Sequence, residues 1–381
     1  MNDTEIRSFR IDVPQADLDD LARRLGHTRW PDEEPGAGWN NGIPLGYSKE
    51  LAEYWRSSYD WRLHEARLNA LPQFRSMIDG HDVHFLHVRS AQPDALPIVL
   101  THGWPGSIVE FLDVIGPLTD PVAHGGDARD AFHVVVPTIP GFGISGPAVG
   151  WSTSRVAVAW AELMRRLGYS RYTAHGGDTG AMISRELGLV DPGHLVALHL
   201  TYIPSAKVSA ETADFSDLAE QRSVENLYRF QHELGAYAML QATRPQTLSY
   251  ALTDSPVGQL AWIVERFKDW TDSKDTPEDA VDRDAMLTNV MIYWLNGTAG
   301  SSARYYKSGN EGWGEPEPPS PVPTAIAVLP YDIGSPVRRV AEQNHEIVRW
   351  TEYERGGHFA AMEEPDLVVA DLRESFRPYR R

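Results

Sequence analysis

RYTAHGGDTGAMIS, residues 171–184, is the stretch on which the reading of this chain turns. A β-branched and aromatic run leads into Gly176-Gly177-Asp178-Thr179-Gly180, and an Ala/Met/Ile stretch suited to a helix follows. Strand, sharp turn and helix in that order form a nucleophile elbow, which holds the central residue of a G-x-S-x-G pattern out at the end of a strand. Here the centre is Asp178, a carboxylate where serine-dependent acyl-transfer enzymes carry a hydroxyl. The exchange alters the chemistry on offer. A carboxylate displaces a leaving group from saturated carbon and keeps the alkyl group as an ester, whereas a serine hydroxyl takes up an acyl group.

Outward from the elbow, short apolar runs alternate with helical patterns: ALPIVLTHG, AFHVVVPTIPG, RYTAHGG, LVALHLTYIP, TAIAVLPYD and IVRWTEYERGGH. Such runs read as strands buried on both faces, and their alternation with helices predicts a mostly parallel sheet with right-handed crossovers. The expected class is α/β, with the core divided between residues 91–203 and 321–381. Residues 204–320, between the halves, read as helical and rich in Trp and Tyr, and end in the Pro-rich connector EPEPPSPVP. An aromatic helical insertion over strand ends predicts a lid. Residues 1–90 read as polar and mostly helical, broken by Trp30-Pro31 and by DEEPGAGWNNGIPLG, and form a segment of their own.

Composition narrows the function class. A formal net charge of −18, with no basic cluster to offset it, opposes a nucleic-acid or anionic-membrane partner. With no cysteine among 381 residues, disulfides, thiolate-held zinc, iron–sulfur clusters and a Cys nucleophile are excluded. The expectation is an enzyme with no cofactor and no metal. No apolar run approaches the ~18 residues of a membrane span, and MNDTEIRSF lacks the basic-then-apolar pattern of a secretory signal. A soluble, cytoplasmic protein is therefore expected.

Open α/β sheets bind ligands beyond the carboxyl ends of their strands. At those positions the chain offers His102-Gly103-Trp104-Pro105-Gly106-Ser107, then Asp178, then Asp332 after AIAVLPY, then His358 after IVRWTEYERGG. Singly, each has a bland explanation: Gly176 and Gly180 suit any tight strand–helix turn, Asp332 suits a helix N-cap opening DIGSPVRRVAEQ, and His358 suits a hydrogen-bonded loop. Together they end three separate strands in the order nucleophile, acid, histidine. In that arrangement His358, oriented by Asp332, activates water against an ester on Asp178, while the N–H groups of Trp104 and Thr179 hold the oxyanion. His102 and His175 are assigned to packing or turn hydrogen bonds. The leaving group stays open between an epoxide oxygen and a halide. An epoxide needs an acid for the nascent alkoxide, and a phenol of pKa ~10 keeps its proton at neutral pH. The lid supplies Tyr228, Tyr237, Tyr250, Tyr293, Tyr305 and Tyr306, and composition does not choose among them.

The segments TRWPDE, YWRSSYDWRLHEARLNALPQF, IDGHDVHFLHVRS, HGWPGS, GGDTG, QATRPQT, DSPVG, LTNVMIYWLNGTAGSSARYYK and GGHFAAMEEP carry a resemblance over nearly the whole chain. It resembles the epoxide hydrolases of α/β-hydrolase fold with an N-terminal epoxide-hydrolase domain, in pattern the microsomal type. The resemblance implies Asp178 as nucleophile, His358 as base, Asp332 as its acidic partner, and Tyr237 and Tyr306 as lid acids. It also implies the Trp104 and Thr179 N–H groups at the oxyanion hole, a cis bond before Pro105, and an N-terminal segment packed on core and lid. The substrate implied is an epoxide, opened to a vicinal diol. Aromatic lid residues favour an aryl or bulky apolar one, and a homodimer is left open. Three departures stand out. Thr179 replaces the family's usual Trp, making the pocket wall smaller and more polar. IRSFRIDVP stands where membrane-type relatives carry an apolar anchor, and Asp332 stands where some relatives have Glu. A haloalkane-type dehalogenase shares the Asp nucleophile and His base but needs no tyrosine, and it usually holds halide with the indole that Thr179 lacks. A non-catalytic binding protein on the same fold is the remaining alternative.

Overall fold

In a computed structural model that describes residues 5–309 and 318–380, nine strands form one sheet in the order β1-β2-β3-β5-β4-β6-β7-β8-β9. They are β1 (Ile6–Phe9), β2 (Gln73–Ile78), β3 (His81–Val88), β4 (Leu96–Thr101), β5 (Phe132–Pro137), β6 (Tyr172–Gly176), β7 (Leu195–Leu200), β8 (Ser320–Val328) and β9 (His345–Glu352). The six apolar runs are β4 to β9, and every pairing among them is parallel. Each residue of β5 and β6 is buried, as parallel strands covered on both faces must be. Successive side chains of β7 show the two layers. Leu198 packs at Gly188 of the Asp178–Val190 helix, while His199 turns the other way and meets Asp371 of the Pro365–Phe376 helix at 2.9 Å.

The first ninety residues depart from the mostly helical reading. Beside the helices Gln15–Gly26, Leu45–Ser57 and Trp61–Asn69 they contribute β1, β2 and β3, an antiparallel edge joined to the core through β3 on β5. The signal was Asp79-Gly80 between two strand-like runs. Both residues take positive φ, 49° and 76°, as a two-residue hairpin of the type I′ class requires. Polar Gln73, Arg75 and Ser76 in β2 had disguised it.

Among the described residues, six α-helices, from Leu218–Arg229 to Ala299–Ser308, lie between β7 and β8, in the region the sequence reads as a lid. The Pro-rich connector that follows lies partly outside the described residues. Within the lid, the Arg283–Leu295 helix is buried without a break from Met286 to Tyr293, the signature of a helix surrounded by protein. The N-terminal segment is stitched to the lid by phenols. Tyr54 donates to Asp284 at 2.8 Å, Tyr47 donates to Glu278 at 3.0 Å, and Tyr59 bonds Thr288 at 2.9 Å. Among the described residues no helix is long and apolar enough to cross a membrane.

Candidate active site

Asp178 begins a helix straight after β6 with φ at +48°, a left-handed conformation that costs a non-glycine residue about 1–3 kcal/mol. The surrounding glycines make the turn fit. A methyl group on Gly176 would run into the carbonyl of Gly180, and one on Gly180 into the carbonyl of Thr101. One on Gly103 would strike the Asp178 side chain itself, so the two loops close on each other only as far as glycine allows.

The carboxylate is held by backbone. The Trp104 N–H donates to Asp178 Oδ1 at 2.8 Å, and the Thr179 N–H also bonds the side chain. The Trp104-Pro105 bond is cis. Two carboxylates flank His358: Asp332 Oδ1 lies 2.6 Å from Nδ1, and Asp178 Oδ2 lies 3.4 Å from Nε2. Asp332 and His358 are buried, 6% and 4% exposed as residues, and the Asp178 side chain is 13% exposed. Burial pulls the imidazole pKa down, but the Asp332 and Asp178 charges outweigh it and lift it to about 10. Burial pushes the Asp178 carboxyl up, yet His358 and the two N–H groups hold it below the usual range. Both neighbouring carboxyl groups therefore favour the protonated imidazole. No helix begins at Asp332; the nearest is Arg338–Ala341, so the helix-cap explanation of that residue does not apply.

The lid tyrosines sort by where their hydroxyls go. Tyr228 and Tyr250 are 60% and 72% exposed. Tyr293 donates to the Gly106 carbonyl at 2.7 Å, and Tyr305 to Thr153 at 3.2 Å. Tyr237 and Tyr306 instead converge on Trp104 of the HGWPGS turn. The Tyr237 ring stacks on Trp104 with centroids 5.1 Å apart, Tyr306 meets Trp104 edge-on at 5.6 Å, and the two phenols meet each other at 5.9 Å. Burial first, and the Asp178 charge among the other causes, raises both phenols well above their ordinary pKa. Trp270 completes the roof, 4.9 Å from the His358 ring, and its carbonyl accepts the His358 backbone N–H at 2.7 Å.

The remaining histidines lie apart from this chemistry. His102 bonds the Gly103 carbonyl and accepts from the Ile139 N–H, and burial drops it to about 4. His175 bonds His199 behind the sheet at 2.9 Å. Ser107 donates to Asn289 at 2.7 Å, and Asn289 in turn donates to the Pro105 carbonyl at 2.7 Å. With Tyr293, this lid asparagine fastens the HGWPGS turn, a role no sequence motif had marked.

A family model described as the N terminus of epoxide hydrolases matches residues 6–111, and an α/β-hydrolase family model matches residues 98–372. A Stigmatella aurantiaca protein named "Putative epoxide hydrolase" is 48% identical over 98% of this chain and 86% of its own length. Epoxide hydrolase 1 of Oryctolagus cuniculus is 33% identical over 98% of this chain and 89% of its own. The chain belongs to the epoxide hydrolases. Among solved structures, the epoxide hydrolase of Aspergillus niger superposes with a TM-score of 0.86 at 29% identity, covering 99% of this chain and 97% of that one. As an epoxide hydrolase the chain is a hydrolase acting on ether bonds, built on the α/β-hydrolase fold. Its own mark within the family pattern is Thr179, 4% exposed, where the resemblance leads one to expect an indole.

Proposed function

We propose that this epoxide hydrolase works in two covalent steps centred on Asp178. The Asp178 carboxylate attacks a ring carbon, the carbon–oxygen bond breaks, and the freed oxygen takes a proton from Tyr237 or Tyr306. Ester formation removes the charge on Asp178, one of the two carboxylates that keep His358 protonated. The imidazolium then surrenders its proton to the tyrosinate through solvent and becomes a base. Water gives one proton to His358 Nε2 as its oxygen adds to the Asp178 carboxyl carbon, and the Trp104 and Thr179 N–H groups hold the oxyanion. Collapse expels the diol oxygen, which takes the remaining proton of the attacking water. Asp178 is again a carboxylate, His358 again an imidazolium, and both tyrosines are protonated.

The observation that carries this reading is the convergence of two buried, protonated phenols on the loop that also holds Asp178. A dehalogenase needs no such acids. The test is a single turnover in heavy-oxygen water followed by peptide mass analysis. Label entering the Asp178 peptide is expected; a diol that takes all the label from an unlabelled enzyme means direct attack by water. A chlorobutane probe left intact beside a hydrolysed styrene-oxide-like probe separates this reading from a dehalogenase and from a non-catalytic binding protein. The rings of Trp104, Tyr237, Trp270 and Tyr306 favour an aryl or bulky apolar epoxide. Lack of cysteine fits action in the cytoplasm. A homodimer is the assembly to test by sedimentation.

A further inference from the structure

Several polar groups of the HGWPGS turn have partners on the neighbouring helix. The Pro105 and Gly106 carbonyls accept from Asn289 and Tyr293, and the Ser107 hydroxyl donates to Asn289. Across the site, Glu363 accepts the Phe359 and Asp272 N–H groups, each at 3.0 Å. Glu110 differs. It sits in the short turn Ile108–Phe111, whose residues are all buried, and it is 7% exposed. Its carboxyl makes no hydrogen bond or ion pair among the described residues. A methyl group on Gly106 would stand 2.8 Å from Glu110 Oε2, so the carboxyl lies against the loop.

Glu110 thus lies against the turn whose Trp104 N–H holds Asp178. The charged groups that act on it are His358, Asp178 and, across the site, Glu363. His358 Nε2 is itself buried with no hydrogen-bond partner, and its 3.4 Å separation from Asp178 Oδ2 is loose. Burial, with help from Asp178 and Glu363, raises Glu110 to about 8, so near neutrality it is mostly an uncharged acid with a free carbonyl oxygen. His358 Nε2 is buried without a partner and the Glu110 carboxyl is mostly buried against the same loop, and a buried water needs two to four such polar partners.

We propose that Glu110 is the positioning residue for the hydrolytic water: its carboxyl oxygen accepts one hydrogen of that water while His358 Nε2 accepts the other. Glu110 makes and breaks no covalent bond. The inference rests on the two-step reading above, since it concerns only the second step. Asp178 attacks without help from Glu110, so its loss leaves ring opening intact and slows ester hydrolysis.

The experiment compares E110L, E110A and E110Q with the wild-type enzyme on one epoxide, using stopped-flow turnover and intact-protein mass after quenching. Selective slowing of the second step lowers kcat and KM together. In E110L and E110A both are expected to fall about tenfold to a hundredfold, with kcat/KM within about twofold and an alkylated chain accumulating at steady state. In E110Q, whose amide keeps the carbonyl acceptor, kcat is expected to recover to within about tenfold of wild type. A merely structural Glu110 moves stability and kcat/KM and accumulates no ester. Wild-type hydrolysis rates in folded E110L or E110A overturn this assignment and leave the two-step reading standing. A wild-type enzyme that never carries an alkyl group overturns both.

Discussion

The floor and the roof of the site are held by different forces. On the floor, Asp178, His358 and Asp332 stand at the ends of separate strands, fixed by backbone N–H donors and by each other at hydrogen-bond or ion-pair distance. On the roof, Tyr237, Tyr306 and Trp270 are set by ring packing around Trp104, their centroids 5.1 to 6.2 Å from one another or from that indole. Directional bonds give the charged groups one geometry. Ring contacts are less directional, and the two phenols, which also bond each other, can exchange that bond for one to a substrate oxygen as its charge develops.

Substitutions on the floor are the harshest way to test that contrast. Asp178→Ala removes the attacking atom, and turnover of an epoxide is expected to fall at least about 10⁴-fold, below the detection of a diol assay. His358→Gln spares the nucleophile; here one alkyl group per chain is expected to accumulate by mass, with ester hydrolysis slowed about a thousandfold or more. Clean turnover without a trapped ester would place the base elsewhere.

Roof substitutions should bite less and share their effect. Tyr237→Phe and Tyr306→Phe are each expected to slow ester formation about tenfold to a hundredfold, read by single-turnover kinetics, because the remaining phenol still donates. The double variant should nearly stop it, and full activity there sinks the assignment. In the wild type, ring opening is expected to hold its rate as pH climbs past about 10, where an ordinary tyrosine would ionise, because burial and Asp178 keep the protons on.

The mildest test lies at the seam. Asn289→Ala leaves the Pro105 carbonyl and the Ser107 hydroxyl without their partner. A loss of about 1–3 kcal/mol in stability is expected by thermal unfolding, with kcat/KM down about tenfold as the oxyanion loop loosens. Unchanged kcat/KM would mean that the loop is held by the core alone.

The same contrast separates what the chain announces from what it hides. β4 to β8 are legible because strands buried on both faces need mostly apolar runs, whereas β9, at the sheet edge, is largely half-buried or exposed; Asp178, Asp332 and His358 stand out as residues that follow β6, β8 and β9. Those three meet because a parallel sheet brings every carboxyl end to one rim. Roof residues have no such rule. Six tyrosines share one composition, and only the packed structure separates Tyr306, in the roof, from its neighbour Tyr305, bonded to Thr153. Asn289 and Tyr293 lie in an apolar helix and look like ordinary interior residues until their partners across the chain are known. Glu110 had a faint signal, a lone acid in the apolar run SIVEF. β2 and β3 could have been read from Asp79-Gly80, but polar residues in β2 broke the alternation that usually accompanies a hairpin.

The Arg283–Leu295 helix carries a load in two directions. Tyr54 and Tyr59 grip one side of it, and from the other it props the turn that cradles the nucleophile. The leading segment is thereby linked, through this helix, to the turn that holds Asp178. Chimaeras that exchange this front portion between relatives swap a strut along with it, and their catalytic rates will shift even when every residue around the substrate is kept.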